Sequence, residues 1–237
     1  MNEVERPWVV IQHVSHEGPG LIGEALDDAG RTFEVVRADL GDSYPKVSEL
    51  GGLVVMGGPM GVHDQDEHPW LSDERDLLAA AVEAGLPVLG VCLGAQQLAT
   101  ALGAEVTTGP APEVGTGSVE LTSAGRLDPV FGPEYGGLAS STIACVHWHQ
   151  DTFSVPAGAT HLAATPRYPN QAFRMGDRAY GLQFHVEVDR SLAHSWERFL
   201  PDGVTFDQRG LSEAETVGRR ILRRFVAAAV GSPMART

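Results

Sequence analysis

The sequence has few features that cross-link a chain or anchor it in a membrane. Its 237 residues include only two cysteines, Cys92 and Cys145, which is too few for a disulfide framework. No apolar run approaches the roughly 18 residues that indicate a transmembrane helix. Residues 1–6 are polar and acidic and lack the pattern of a signal peptide. We therefore expect a cytoplasmic protein with no membrane partner, in which both thiols are free.

Positive charge is scarce as well. Lys and Arg total 17 against 31 Asp and Glu, so the net charge is −14 at pH 7. Nucleic-acid binding needs a basic surface for the phosphates, so this balance argues against a nucleic-acid partner. One basic cluster near the C-terminus is interpreted as a solvated helix face, with a docking surface for a partner protein as the alternative. Its members are Arg219, Arg220, Arg223 and Arg224.

Strands and helices alternate regularly in the first hundred residues. Four continuous apolar runs predict buried strands, and apolar residues recur at helical spacing between them. Ser72 is a candidate N-cap for the second helix, and a helix over 93–102 follows the fourth strand directly. This alternation predicts an α/β fold of three layers, with a mostly parallel central sheet and helices on both faces. The predicted strands are 8–14, 33–38, 52–56 and 87–91.

The chain changes character after Gly103. Short apolar segments joined by Gly and Pro turns predict a small mixed or antiparallel sheet beside the main one. A further strand over 178–184 ends at His185. The short segments are 105–107, 117–121, 142–148, 161–165 and 171–175.

The last part of the chain reads as helical. Asp189 or Ser191 can cap a helix that reaches Phe199. Ser212 and Glu215 then form a capping-box pattern before a final helix. We expect one domain over residues 1–200 and a C-terminal helical extension over 201–237.

Cys92 stands where a parallel sheet places its active site, beyond the carboxyl end of a strand. It lies between the fourth strand and a helix and is flanked by Gly90 and Gly94. This arrangement matches a nucleophile elbow in which sulfur replaces oxygen. The helix that begins here directs N–H groups at the thiol, which favours the thiolate. The alternative interpretation is a buried structural cysteine at a tight turn.

His185 and Glu187 follow the last predicted strand. A cysteine nucleophile needs a base, and histidine is the usual one. If the chain turns after the strand, the Glu187 carboxylate can return to the ring of His185. It would then fix the tautomer and stabilise the imidazolium.

The Gly-rich turn after the third strand presents backbone N–H groups without side-chain obstruction. Together with the N–H of Leu93, it could form an oxyanion hole. Gly58 is the preferred donor, because Pro59 has no N–H. An ordinary strand-end turn is the alternative. A phosphate-binding loop is disfavoured, because G-x-x-x-x-G-K-[ST] is absent.

Two further polar segments could serve a site. His147 and His149 could suggest a metal, but no cysteine or carboxylate stands at an established ligand spacing. We therefore expect no metal here, and interpret the segment as a substrate-binding loop or a packed corner. The polar loop over 63–68 is either a lid or a solvated connection.

In combination, these motifs resemble the class I glutamine amidotransferase domain over roughly residues 7–200. The Gly-Gly-Pro turn, the Gly-x-Cys-x-Gly elbow with Gln96 beyond it, and the late His-x-Glu occur in the family's order. The resemblance implies a flavodoxin-like amidotransferase fold without a cofactor. The character is closest to stand-alone proteins that resemble the amidotransferase part of GMP synthase.

The activity implied by the resemblance is that of a glutaminase. Cys92 would attack the side-chain amide carbon of glutamine, and the N–H groups of Gly58 and Leu93 would hold the oxyanion. His185, oriented by Glu187, would protonate the departing ammonia. Water would then hydrolyse the γ-glutamyl thioester.

The resemblance also implies residues that hold the substrate. Gln96 matches a residue that contacts it in the family. The backbone of Trp148, Gln150 and Asp151 matches the loop that binds the α-amino and carboxylate groups of glutamine. Family members often have Gly where Gln150 stands.

Three functions stay open at this stage. The first is a glutaminase that supplies ammonia to a separate synthetase, since the sequence has no room for a synthetase domain. The second is a stand-alone γ-glutamyl peptidase or hydrolase with the same triad. The third is a non-catalytic binding protein, against which the intact triad argues. A dinucleotide-binding protein is disfavoured, because no G-x-G-x-x-G follows the first strand.

Overall fold

In the computed structural model, which describes residues 6–132 and 141–231, the strands join into one nine-stranded sheet. The strands are β1 Trp8–Gln12, β2 Phe33–Arg37, β3 Gly52–Val55, β4 Val88–Val91, β5 Val106–Leu121, β6 Thr142–Phe153, β7 Thr160–Ala164, β8 Ala172–Met175 and β9 Ala179–Leu182. The helices are α1 Leu21–Asp28, α2 Trp70–Glu83, α3 Leu93–Ala101, α4 Ser123–Leu127, α5 Arg190–Trp196 and α6 Gln208–Val230.

Five strands form the parallel half of the sheet, in the order β2-β1-β3-β4-β9. Successive residues of a strand point to opposite faces, so each strand contributes to two hydrophobic cores. Trp8 and Val10 pack with α1 and α6 on one face. Val9 and Ile11 pack with α2 and α3 on the other. The predicted three-layer α/β fold is therefore confirmed.

The antiparallel half continues the same sheet instead of forming a separate one. Beyond β9 the order is β8-β7-β5-β6, with every pair antiparallel. The segments predicted as 105–107 and 117–121 lie in one long strand, β5, with a bulge between Thr108 and Glu113. Pro110 and Pro112 lie in this bulge, where the missing N–H of proline is tolerated.

The partner of that long strand is also longer than predicted. β6 continues to Phe153, whereas the sequence predicted its end at residue 148. Trp148, Gln150 and Asp151 therefore lie in a strand and not in a loop. The prediction was wrong because the Gly- and Pro-rich partner segment reads as a turn when it is considered alone.

Two of the predicted helix starts are wrong. α2 begins at Trp70, so Ser72 lies inside the helix and does not cap it. α6 begins at Gln208, because the side chain of Asp207 accepts a hydrogen bond from the N–H of Gly210, three residues later, and caps the helix there. Ser212 consequently lies inside α6, and its capping-box pattern has no role at a helix start.

The start of α5 follows one of the two predicted caps. The side chain of Asp189 accepts a hydrogen bond from the N–H of Leu192 at 2.7 Å. The α-helix ends at Trp196, and a short 3-10 turn over Glu197–Phe199 completes the predicted segment. This region closes one end of the sheet beside the candidate site.

The last helix shares its core with the first strand. The ring of Phe225 meets the rings of Trp8 at 5.9 Å and Tyr180 at 5.8 Å, both edge-on. Ile221 and Leu222 are buried in the same cluster. α6 is 23 residues long, yet no helix of the described residues is long and apolar enough to cross a membrane.

The basic cluster of α6 faces the acidic end of α1. Arg219 forms an ion pair with Glu24, and Arg223 forms one with Asp28 at 3.3 Å. Arg220 is exposed. Arg219 and Arg224 are half-buried, and Arg224 donates to the carbonyl of Gly132. The helix face is therefore only partly solvated, and two of its arginines link α6 to α1.

We expect Phe225→Ala to lower the free energy of unfolding by about 3–5 kcal/mol, because it leaves a cavity between two aromatic rings. The loss should appear in one cooperative transition in urea, followed by circular dichroism and tryptophan fluorescence. Arg220→Ala, on the exposed face of the same helix, should change the stability by less than about 0.5 kcal/mol. A main transition unaffected by Phe225→Ala would show that α6 is an independent extension.

Candidate active site

The backbone at Cys92 is strained in the manner of a nucleophile elbow. Cys92 connects β4 to α3 with φ 53° and ψ −110°, and no other non-glycine residue in the described ranges has a positive φ. A side chain at Gly90 would collide with the backbone of Gly94, and one at Gly94 would collide with the carbonyl of Val55. Only glycine at both positions lets this turn close.

His185 and Glu187 meet behind the thiol. Nδ1 of His185 lies 2.7 Å from Oε1 of Glu187, and both side chains are buried. Backbone hydrogen bonds with Val146, at 2.8 and 3.2 Å, hold His185 beside β6. Burial alone would lower the pKa of His185, but the charges of Glu187 and Cys92 outweigh it and hold that pKa well above its usual range. The imidazolium is therefore the favoured form.

Gly58 and Leu93, whose N–H groups were predicted to form an oxyanion hole, lie next to each other. A Cβ atom at Gly58 would lie 3.2 Å from Cδ2 of Leu93. Leu93 is the first residue of α3, so its N–H has no partner within the helix. Within the described part of the chain, neither N–H donates to a protein acceptor. Two backbone donors are thus free beside Cys92.

A buried ion pair that the sequence analysis missed supports the Gly-rich turn. His13 lies 2.9 Å from the carbonyl of Gly57 through Nδ1 and 2.7 Å from Oε2 of Glu74 through Nε2. Burial alone would lower the pKa of His13, but Glu74 outweighs it and raises that pKa. The sequence does contain one indication of this pair. Glu74 is a charged residue at helical spacing from Leu71 and Leu78, on the apolar face of α2.

An open cavity of about 610 Å³ lies over the thiol and the imidazole. The predicted substrate-binding residues Gln96, Trp148, Gln150 and Asp151 line one part of it. A second group of lining residues, which was not predicted from the sequence, comprises His16, Glu17 and Phe199. No residue of the loop over 63–68 is among the lining residues, so the structure gives no support to the lid interpretation.

Gln96 links α3 to the strands around the cavity. Its Nε2 donates to Oε1 of Gln183 at 3.1 Å and to the carbonyl of Asp151 at 3.4 Å. On the same wall, the carbonyl of Trp148 lies 3.6 Å from Sγ of Cys92. The predicted substrate wall and the predicted nucleophile are therefore adjacent.

The side chains of Gln150 and Asp151 are directed toward the bulge of β5. Nε2 of Gln150 donates to the carbonyl of Gly109 at 3.1 Å, and Oδ1 of Asp151 accepts from Oγ1 of Thr108 at 2.8 Å. This agrees with a role for the backbone of these residues, and not for their side chains, on the cavity wall.

Glu113 supplies a carboxylate that the ligand-spacing argument did not find. Its Oε2 lies 3.3 Å from Nε2 of His149 and 3.7 Å from Nδ1 of His147, because β5 and β6 are paired. The three groups are close enough together to hold a metal ion. Both carboxylate oxygens already accept hydrogen bonds, from Thr165 at 3.0 Å and Gln171 at 2.8 Å. This hydrogen-bonded network accounts for the cluster.

Cys145 lies behind this network and differs from Cys92 in its surroundings. Both thiols are free, but Cys145 does not line the cavity. Burial raises the pKa of Cys145 well above its usual value, and burial lowers the pKa of the neighbouring His147 to about 4. A neutral thiol beside a neutral imidazole is a structural arrangement.

A family model, glutamine amidotransferase class-I, matches residues 20–197. A glutamine amidotransferase-like protein, YfeJ, of Salmonella typhimurium is 34% identical over 90% of this chain and 85% of its own length. GMP synthase of Aeropyrum pernix is 31% identical over 78% of this chain, which spans only 34% of that enzyme.

Solved structures show the same similarity. The crystal structure of a glutamine amidotransferase from Thermotoga maritima has a TM-score of 0.84 and 29% identity, and covers 97% of this chain and 100% of its own. That of a glutamine amido transferase from Methylobacillus flagellatus has a TM-score of 0.83 and 28% identity, with 94% and 95% coverage.

We expect Glu187→Gln to move the titration midpoint of His185 to lower pH by about one pH unit or more, because the imidazolium loses its neighbouring charge. The measurement is an NMR titration of the His185 ring. Glu197→Gln is the matched control, since Glu197 pairs with His194 at 3.0 Å on the exposed surface. It should leave the midpoint of His185 unchanged, and an unchanged midpoint in Glu187→Gln would contradict the role of that pair.

Proposed function

The chain belongs to the class-I glutamine amidotransferase family, and from this premise we propose that it hydrolyses the side-chain amide of glutamine through a γ-glutamyl thioester on Cys92. The observation that carries the proposal is the strained elbow at Cys92 beside the buried pair of His185 and Glu187. A strained backbone persists only where the surrounding structure holds it, and such strain clusters at functional sites.

In the first half of the reaction, the thiolate of Cys92 attacks the amide carbon. The carbonyl oxygen becomes an oxyanion that accepts hydrogen bonds from the N–H groups of Gly58 and Leu93. The imidazolium of His185 gives its proton to the nitrogen, the C–N bond breaks, and ammonia leaves. Glu187 keeps the ring oriented and charged until that transfer. The product on the enzyme is the γ-glutamyl thioester.

In the second half, the neutral imidazole of His185 takes a proton from water. The resulting hydroxide attacks the thioester carbon, and the oxyanion forms again at the same donors. The C–S bond breaks, glutamate leaves, and the thiolate and imidazolium are restored. No group beyond the side chains of this site and one water is required for the balance.

The part of the cavity lined by the predicted substrate-binding residues would hold the amino-acid end of glutamine. Gln96 contacts the substrate in this proposal, and the backbone of Trp148, Gln150 and Asp151 binds its α-amino and carboxylate groups. Two observations support this. The carbonyl of Trp148 is adjacent to the thiol of Cys92, and the side chains of Gln150 and Asp151 are bonded to β5, which leaves their backbone on the cavity wall. Ammonia would pass to a separate synthetase, as the similarity to part of GMP synthase suggests.

A γ-glutamyl peptidase or hydrolase is the second candidate, and the size of the cavity favours it. About 610 Å³ is within the range of pockets that hold drug-sized ligands, which exceed a single amino acid. His16 and Phe199 stack at 3.9 Å on the wall that the substrate residues do not occupy. A substituent on the leaving nitrogen could lie against this wall.

We expect a glutamine-analogue electrophile to add one equivalent to the intact protein, at Cys92. Mass spectrometry of the whole chain and its peptides would locate the adduct. Cys92→Ala should abolish the labelling, and Cys145→Ala should retain it, because Cys145 is buried away from the cavity. Labelling at Cys145, or none at all, would favour a non-catalytic binding protein on the same fold.

We also expect kcat/KM for glutamine to exceed that for γ-glutamyl dipeptides by at least about tenfold, because a glutaminase site is built around a small leaving group. Ammonia release and glutamate formation would be measured in parallel over a panel of both substrate types. Cys92→Ala is the background control. The reverse order of kcat/KM would support the peptidase.

A further inference from the structure

Glu17 is held beside the catalytic centre by its backbone neighbours. It lies in the connection between β1 and α1, and its N–H donates to the carbonyl of Val14 at 3.2 Å. The carbonyl of the preceding residue, His16, accepts a hydrogen bond from Nε1 of Trp196 at 2.7 Å. The indole of Trp196 in turn packs edge-on against the ring of His185 at 4.9 Å. The position of Glu17 is therefore tied to that of the imidazole.

The carboxylate of Glu17 borders the same residue as the thiol and the imidazole. A Cβ atom placed on Gly57 would collide with Oε2 of Glu17. The same atom would lie 3.1 Å from Cε1 of His185 and 3.4 Å from Cβ of Cys92. The side chains of Glu17, His185 and Cys92 thus converge on Gly57, which has no side chain to separate them.

This carboxylate has no donor to satisfy it. Its side chain is only 12% exposed and borders the open cavity, and no hydrogen bond to it from the protein is found within residues 6–132 and 141–231. Burial raises the pKa of Glu17, and Glu187 adds to this rise, whereas the charges of His185 and His13 oppose it and favour the carboxylate. The nearest cationic group is His16, whose Nε2 lies 4.0 Å away. Burial and Arg198 lower the pKa of His16, so its ring is neutral. A half-buried carboxylate without a donor from the protein is open to a hydrogen bond from a substrate N–H in the cavity.

We propose that Glu17 accepts a hydrogen bond from the leaving nitrogen of the substrate amide and stabilises the positive charge that develops on it. This inference rests on the proposed hydrolysis at Cys92. The site then takes amides, whose leaving nitrogen carries an N–H, in preference to γ-glutamyl esters.

The charge balance of acylation fits this role. His185 transfers its proton to the leaving nitrogen, so positive charge moves from the imidazole to that nitrogen as the C–N bond breaks. Glu187 is already engaged at Nδ1 of His185 on the far side of the ring. A second carboxylate, that of Glu17 on the cavity wall, interacts with the charge where it arrives.

The test compares an amide and an ester that form the same thioester. Glutamine and the γ-methyl ester of glutamic acid would be given to the wild type and to Glu17→Gln, and kcat/KM measured for each. Because kcat/KM covers only the steps through acylation, the shared hydrolysis of the thioester does not mask the effect. We expect the amide to lose about 10- to 100-fold, the range for a hydrogen bond to a charged group, and the ester less than about threefold.

The control variant is Glu67→Gln, which removes the same charge from the exposed loop over 63–68 and should change neither substrate. The amide-to-ester ratio is an internal measure, so partial misfolding of a variant cancels. Glu17→Ala, measured in the same way, should lower the ratio at least as far. Labelling of Cys92 by the glutamine-analogue electrophile would show that the nucleophile remains competent in both Glu17 variants.

Two different failures can be told apart. Equal losses for amide and ester in the Glu17 variants, or no loss for the amide, would overturn the role of Glu17 and leave the proposed hydrolysis intact. A wild type that turns over neither substrate would overturn the proposed hydrolysis, and the inference on Glu17 with it.

Discussion

The close approach of the turn between β4 and α3 to the end of β3 is the constraint on which the site depends. Gly94 packs directly on the carbonyl of Val55 and its N–H donates to the carbonyl of Met56 at 3.1 Å, and Cys92 in the same turn has a positive φ. The same contact brings the start of α3 next to the Gly-rich turn that follows β3. This backbone contact consequently helps to position the thiol and the free N–H groups of Gly58 and Leu93, and it involves no other side chain of the site.

Two buried pairs of polar side chains support the Gly-rich turn and the imidazole of His185. His13 and Glu74 are fully buried beneath the Gly-rich turn, where an ion pair gives little net stability against its desolvation cost. Such a pair does restrict geometry, because its hydrogen bonds allow one arrangement of the turn. His185 and Glu187 repeat the pattern on the other side of the thiol.

Much of the fold and part of the site could be predicted because the signals were local. The elbow at Cys92 and the spacing of His185 and Glu187 each lie within one short segment. Glu17 and Glu113 could not be found in that way, since their significance arises from segments distant in sequence that pairing and packing bring together. The same holds for residues 148–153 of β6. Their pairing partner in β5 is rich in Gly and Pro and predicts a turn when it is considered alone.

The contact of Phe225 with Trp8 has a consequence for how the protein is made. More than two hundred residues separate the two rings, so the part of this face that α6 covers stays exposed until that helix is synthesised. Domains of this kind begin to fold as they leave the ribosome, and exposed apolar surface at that stage promotes aggregation. Trp8 therefore lacks one of its partner rings while these intervening residues are added. Expression yield should be sensitive to chaperone capacity as well as to equilibrium stability.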